Sequence, residues 1–161
     1  MNISQAIPKV AVVMGSASDK PIMDECTLHL NYFRLVSEEF ILSAHRTPDQ
    51  TAEFAKTARD RGFCVIIAGA GMAAHLPGVI AAYTTLPVIG VPLSGSALNG
   101  MDALHSIVQM PAGVPVATVA IGRAGAVNAA VLAAEIIGLF SENVRSKLDE
   151  FKKLGCKIPK Q

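Results

Sequence analysis

Apolar and polar positions along the chain change period again and again. "KVAVVMG" is a short β-branched run that ends in glycine, which predicts a first strand. "SASDKP" follows as a loop, and Pro21 fits the first turn of a helix that runs to about Asn31. "RLVSEEFIL" predicts a second strand, and its polar middle marks it as a sheet edge. Thr47 is an expected N-cap with Pro48 at the first helical position, and this helix is expected to run to about Arg61 before Gly62 stops it. "CVIIAG" is apolar throughout, as a parallel strand buried on both faces must be. A helix is expected from about Ala74 to Tyr83, a strand at "PVIGVP", and a short helix from Met101 to Ser106. "GVPVATVAI" predicts a fifth strand, and "AGAVNAAVLAAEIIGLF" a helix that is apolar nearly all round.

Strand and helix thus alternate five times. That order predicts a parallel sheet with right-handed crossovers and helices on both faces. The last segment, "SENVRSKLDEFKKLG", is different: Ser141 can cap it, Gly155 can stop it, and Val144, Leu148, Phe151 and Leu154 form one apolar stripe. We expect a single domain over residues 1–161, with an α/β core at 8–140 and a C-terminal helix and tail at 141–161. The tail can dock on its own domain or on a neighbour; one chain alone has little left to cover the all-round apolar helix, which favours packing on a neighbouring subunit.

Length and composition agree. A chain of 161 residues with 51% hydrophobic content can bury a real core. From Gly62 to Met101 there is no Asp, Glu, Lys or Arg. A membrane helix needs about 20 apolar residues in sequence; here Gly69, Gly71, His75, Pro77 and Gly78 interrupt the run, so buried strands and a buried helix explain it. Net charge is +1, basic residues are scattered, and only "KKLGCKIPK" is mildly basic, which argues against a nucleic-acid partner. Cys26, Cys64 and Cys156 lie far apart without a Cys-x-x-Cys pair, so neither a disulfide framework nor a zinc site is expected. The apolar run Val10 to Met14 is too short for a signal peptide, and we expect a cytoplasmic location.

Parallel sheets bind ligands beyond the carboxyl ends of their strands. Three loops at such ends carry chemistry. In "GSASD", small residues let backbone N–H groups approach an anion, Ser16 and Ser18 can donate to a phosphate, and Asp19 can accept from sugar hydroxyls. A plain capped helix start is the competing explanation. In "SAHRTP", Arg46 offers a planar, permanently charged fork for phosphate or carboxylate, and the His45 imidazole is a proton carrier suited to neutral pH. A surface arginine beside a packed histidine is the competing explanation there. In "AGAGMAAHLPG", Gly69-x-Gly71-x-x-Ala74 formally fits the dinucleotide fingerprint, but it follows the third strand and no acidic residue appears until Asp102. A backbone wall against a flat ring explains it better. His75 reads equally well as a structural residue turned to a backbone carbonyl, and His29 and His105 as structural or surface residues.

With these loops in view, the chain resembles the class I N5-carboxyaminoimidazole ribonucleotide mutase family over about residues 8 to 140. "GSASD", "SAHRTP", "AGAGMAAHLPG" and "SIVQMPAGVPVATVAIG" carry the resemblance. It implies a flavodoxin-like three-layer αβα sandwich and a homo-octamer. The implied reaction moves a carboxyl group from the exocyclic nitrogen to a ring carbon of the imidazole ribonucleotide, by decarboxylation and recapture in a closed site. It implies no ATP, metal or organic cofactor, and composition already argues against a nucleic-acid or membrane partner. By the resemblance, His45 is the general acid and base, Ser16, Asp19 and Arg46 hold the ribose phosphate, and Ser43 lies beside the reacting carboxyl. Gly71, Ala73 and Leu76 match the pocket wall. Met72 departs from the pattern, since members usually carry Gly there; its side chain either narrows the pocket or points away into a subunit contact. The rival readings are the related carboxylase, which takes free aminoimidazole ribonucleotide and carbon dioxide, and a non-catalytic flavodoxin-like nucleotide-binding module.

Overall fold

The computed structural model describes residues 8–159; the outer ends of the expected domain, residues 1–7 and 160–161, lie outside the described residues. The strands are β1 (Lys9–Met14), β2 (Val36–Ile41), β3 (Phe63–Gly71), β4 (Val88–Leu93) and β5 (Ala117–Thr118). The helices are α1 (Lys20–Tyr32), α2 (Pro48–Thr57), α3 (Leu76–Tyr83), α4 (Met101–Val108), α5 (Arg123–Gly138) and α6 (Glu142–Lys153). All strand pairs are parallel, in the order β2-β1-β3-β4-β5. This is the expected flavodoxin-like α/β sandwich. The chain steps outward from β1 to β2 and then returns past β1 to β3, so the order reverses between β1 and β3. Ligands of such sheets gather at that reversal.

Side-chain alternation along each strand builds two cores. Val10, Val12 and Met14 of β1, with Val65 and Ile67 of β3, face Met23, Cys26 and Leu30 of α1 and the alanines of α5. Ala11, Val13, Ile66, Ala68 and Ala70 face the other way, against Phe54 of α2, Ile80 of α3 and Ile107 of α4. Burial on both faces explains why β3 and β4 read as unbroken apolar runs. β2 is the edge, as expected. Its acidic side chains are paired: Glu38 with Lys9 at 2.5 Å and Glu39 with Lys20 at 2.5 Å.

Three expectations change. The fifth strand shrinks to two residues, which pair with Ile89 and Gly90. Pro111 and Pro115 supply no N–H to a ladder in the segment before it. The second helix stops at Thr57, four residues short of Arg61. Thr47 does not cap it with its side chain. The third change is α6. Its stripe of Val144, Leu148 and Phe151 is buried within the chain itself, in the same core as α1 and α5, and Phe151 stacks edge-on against Phe33 at 5.3 Å. α5 packs on α1 and α6 through its alanines, while Val127, Val131, Leu132 and Ile136 stay half-buried. Leu154 alone of the stripe stays exposed.

Candidate active site

The first loop is a capping box. Ser16 Oγ accepts from the Ser18 N–H at 3.3 Å, and the Ser16 N–H donates to Asp19 Oδ2 at 3.0 Å. A single 3-10 turn, Ala17–Asp19, then leads into α1. The capped-helix explanation therefore holds for the backbone. It leaves the loop facing the cleft all the same, because Ser16, Ser18 and Asp19 all line it. Burial pushes the Asp19 carboxyl above its ordinary range, against hydrogen bonds from the Ser16 and Gly15 N–H groups that pull it down.

The second loop closes on itself. Thr47 Oγ1 accepts from the Ser43 N–H at 2.9 Å and donates to the Ser43 carbonyl at 3.1 Å. Ser43 Oγ accepts from the N–H groups of His45 at 3.3 Å and Arg46 at 3.1 Å. Thr47 thus spends its hydroxyl on this turn rather than on the end of α2. The Ser43 hydroxyl keeps its own proton to donate into the cleft. The side chains of His45 and Arg46 are left pointing outward, and the Arg46 guanidinium has no ion-pair partner among the described residues.

The third loop begins inside β3, which runs two residues further than expected, to Gly71. A Cβ on Gly71 would stand 3.3 Å from the Leu93 carbonyl oxygen of β4, so the wall stays thin where the two strands meet the cleft. Met72 then adopts φ +57°, a left-handed conformation that costs a non-glycine residue about 1–2 kcal/mol. His75 precedes α3 without capping it. Instead its Nδ1 lies 2.8 Å from His45 Nε2, with the rings edge to face at 83°. The expected turn of His75 toward a backbone carbonyl is replaced by this contact. Its partner lies 30 residues away, and nothing in the spacing announced it.

The three loops and the start of the β4 loop, Ser94 and Gly95, enclose one cleft of about 480 Å³. All eight residues singled out from the sequence line it: Ser16, Asp19, Ser43, His45, Arg46, Gly71, Ala73 and Leu76. One end is rich in hydroxyls and carries a guanidinium; the other is an alanine-glycine wall without charge. Among the described residues no group of three or more His, Cys, Asp or Glu side chains could hold a metal ion. His29 is buried and donates from Nδ1 to the Glu25 carbonyl at 2.7 Å, a structural role as expected. No helix among the described residues is long and apolar enough to cross a membrane.

Residues 9–155 match the family model described as AIR carboxylase. The chain belongs to this family. It is 59% identical over 143 residues to the N5-carboxyaminoimidazole ribonucleotide mutase of Bacillus subtilis, covering 89% of this chain and 88% of that protein. It is 53% identical over 150 residues to the protein of the same name from Pyrococcus abyssi, covering 93% and 85%. Among solved structures, Treponema denticola PurE superposes with a TM-score of 0.82 at 27% identity, over 92% of this chain and 91% of that one. The fold and the family expected from the three loops are therefore those observed.

Proposed function

We infer that the protein is a mutase of purine biosynthesis that converts N5-carboxyaminoimidazole ribonucleotide to 4-carboxy-5-aminoimidazole ribonucleotide. One observation carries the reading to this chain's own residues. His45, held against His75, shares a cleft with an uncharged wall and with Arg46, which has no ion-pair partner among the described residues, in a protein that aligns nearly end to end with relatives of that name.

Arg46, Ser16 and Ser18 suit the phosphate and Asp19 the ribose hydroxyls, which leaves the imidazole ring toward Gly71, Ala73 and Leu76. His45 gives its proton to the exocyclic nitrogen as the N–C bond of the carbamate breaks and the electron pair stays on nitrogen. The ring carbon then attacks the freed carbon dioxide, and His45 takes back the proton which that carbon must lose. The cycle closes with no net proton and needs no redox partner. Holding carbon dioxide against the ring turns recapture into a local event, and the uncharged wall keeps water from it. His75 acts through His45. A 2.8 Å contact needs one ring to donate and the other to accept, so it fixes how the His45 ring is turned.

The match to a model described as AIR carboxylase favours one second reading, carboxylation of free aminoimidazole ribonucleotide by carbon dioxide. Supplying each substrate separately to the purified protein decides between them. The mutase turns over the carbamate rapidly and makes little product from aminoimidazole ribonucleotide with bicarbonate; the opposite preference sinks our reading.

We also infer a cytoplasmic homo-octamer. Leu98, Leu139 and Phe140 are large apolar side chains left exposed on this chain, as expected of surface covered by further copies. All three cysteines are free, which suits a reducing compartment. Light scattering of the full chain measures the assembly.

A further inference from the structure

Four large apolar side chains line the cleft. Leu76 and Leu93 are buried and Ile22 is half-buried, whereas Met72 stands 62% exposed at the rim. Its backbone holds φ +57°, which glycine would adopt without strain. Its carbonyl accepts from the Ala74 N–H at 2.9 Å, and the Ala73 carbonyl accepts from the His75 N–H at 2.8 Å. Two tight turns therefore run from Met72 straight into the histidine that touches His45. The chain keeps a long thioether where the backbone disfavours any side chain, and that side chain projects at the opening of the cleft.

We propose that Met72 is an apolar flap over the cleft mouth, which decides how often carbon dioxide is recaptured rather than lost. The proposal rests on the mutase reading. Between the two half-reactions the cleft holds neutral carbon dioxide beside an amine. Escape of the gas leaves aminoimidazole ribonucleotide as a dead-end product. A thioether has three rotatable bonds and no strongly held water, so it can swing aside for the ribonucleotide and close without bringing solvent with it. A polar side chain of equal length would carry its hydration into the cleft.

The test uses substrate labelled with ¹³C in the carbamate carboxyl, enzyme in excess over substrate, and unlabelled bicarbonate in the buffer. Mass spectrometry reads the label kept in the carboxylated product, and chromatography reads the released aminoimidazole ribonucleotide. The wild-type protein and Met72→Leu keep the label. Met72→Gly and Met72→Gln release several-fold more aminoimidazole ribonucleotide and lose label in proportion. The Gln variant preserves length, so its result stands even where glycine loosens the turn. Label retention equal to wild type in both the Gly and Gln variants overturns the proposal. A wild-type protein that fails to convert the carbamate at all overturns the mutase reading, and the flap with it.

Discussion

His45 Nε2 and His75 Nδ1 lie 2.8 Å apart, with the two rings nearly perpendicular. One ring hangs from a loop after β2, the other from a turn after β3, and β1 runs between those strands. The sheet order itself therefore brings the pair together over the reversal between β1 and β3. Only one proton can lie between the two nitrogens, so one ring donates and the other accepts.

His45→Asn keeps the fold, because the turn around it is held by Ser43 and Thr47 and uses only the His45 backbone. Turnover falls by about 10²–10⁴-fold, the usual worth of general acid-base help. Ligand affinity, measured by calorimetry with the product, stays near wild type. Retained turnover removes His45 from the chemistry.

His75→Ala tests the second ring. Losing a hydrogen bond to a group that becomes charged costs about 1.5–3 kcal/mol, or roughly 10- to 100-fold, and the loss falls on kcat with KM nearly constant. His75→Asn, which restores a polar atom near the Nδ1 position, recovers part of it. A fall in thermal stability that tracks the fall in rate points to a purely structural histidine instead.

Asp19→Asn separates stability from binding. The Asp19 carboxyl sits above its ordinary range because folding buries it. The folded chain therefore holds that proton to higher pH than the unfolded chain does. Stability from this group is complete below the ordinary aspartate range and is lost as pH rises through the raised value. Asparagine has no charge to bury, so the stability difference between variant and wild type moves in the variant's favour as pH climbs through that window. The same variant weakens substrate binding, since one acceptor for the sugar becomes an amide. Denaturant melts at a series of pH values, paired with KM, check both halves.

Gly125→Ala is a test of the frame. A Cβ there would stand 1.7 Å from the Ala120 carbonyl oxygen, and backbone cannot swing aside as a side chain can. We expect a loss of at least about 1–3 kcal/mol in a urea melt, the usual cost of overpacking. Gly69→Ala makes a milder control, because its nearest neighbour is the flexible Met23 thioether at 2.5 Å.

Much of this molecule was legible in its chain. Apolar runs placed β1, β3 and β4, since a strand covered on both faces admits no polar residue, and the polar middle of β2 marked the edge. The loops announced themselves because hydroxyls, Arg46 and His45 stand at strand ends, where burial cannot explain them. Other features needed three dimensions. The run 113–121 has the composition of a strand, yet only Ala117 and Thr118 find a ladder partner on β4. Thr47 stands at the N-cap position as its sequence signature says, but that signature does not reveal that its hydroxyl is already engaged with Ser43. The His45–His75 contact has no spacing signature, and the stripe of α6 does not say that Phe33 waits on the same chain.

The turn from Ser43 to Thr47 has one more consequence. Every hydrogen bond that shapes it begins and ends within five consecutive residues. Such a segment brings its own bracing wherever a parallel strand hands over to a helix. The backbone under His45 therefore holds its shape without help from the sheet border or the helix beyond it, and only the ring's turn is left to His75.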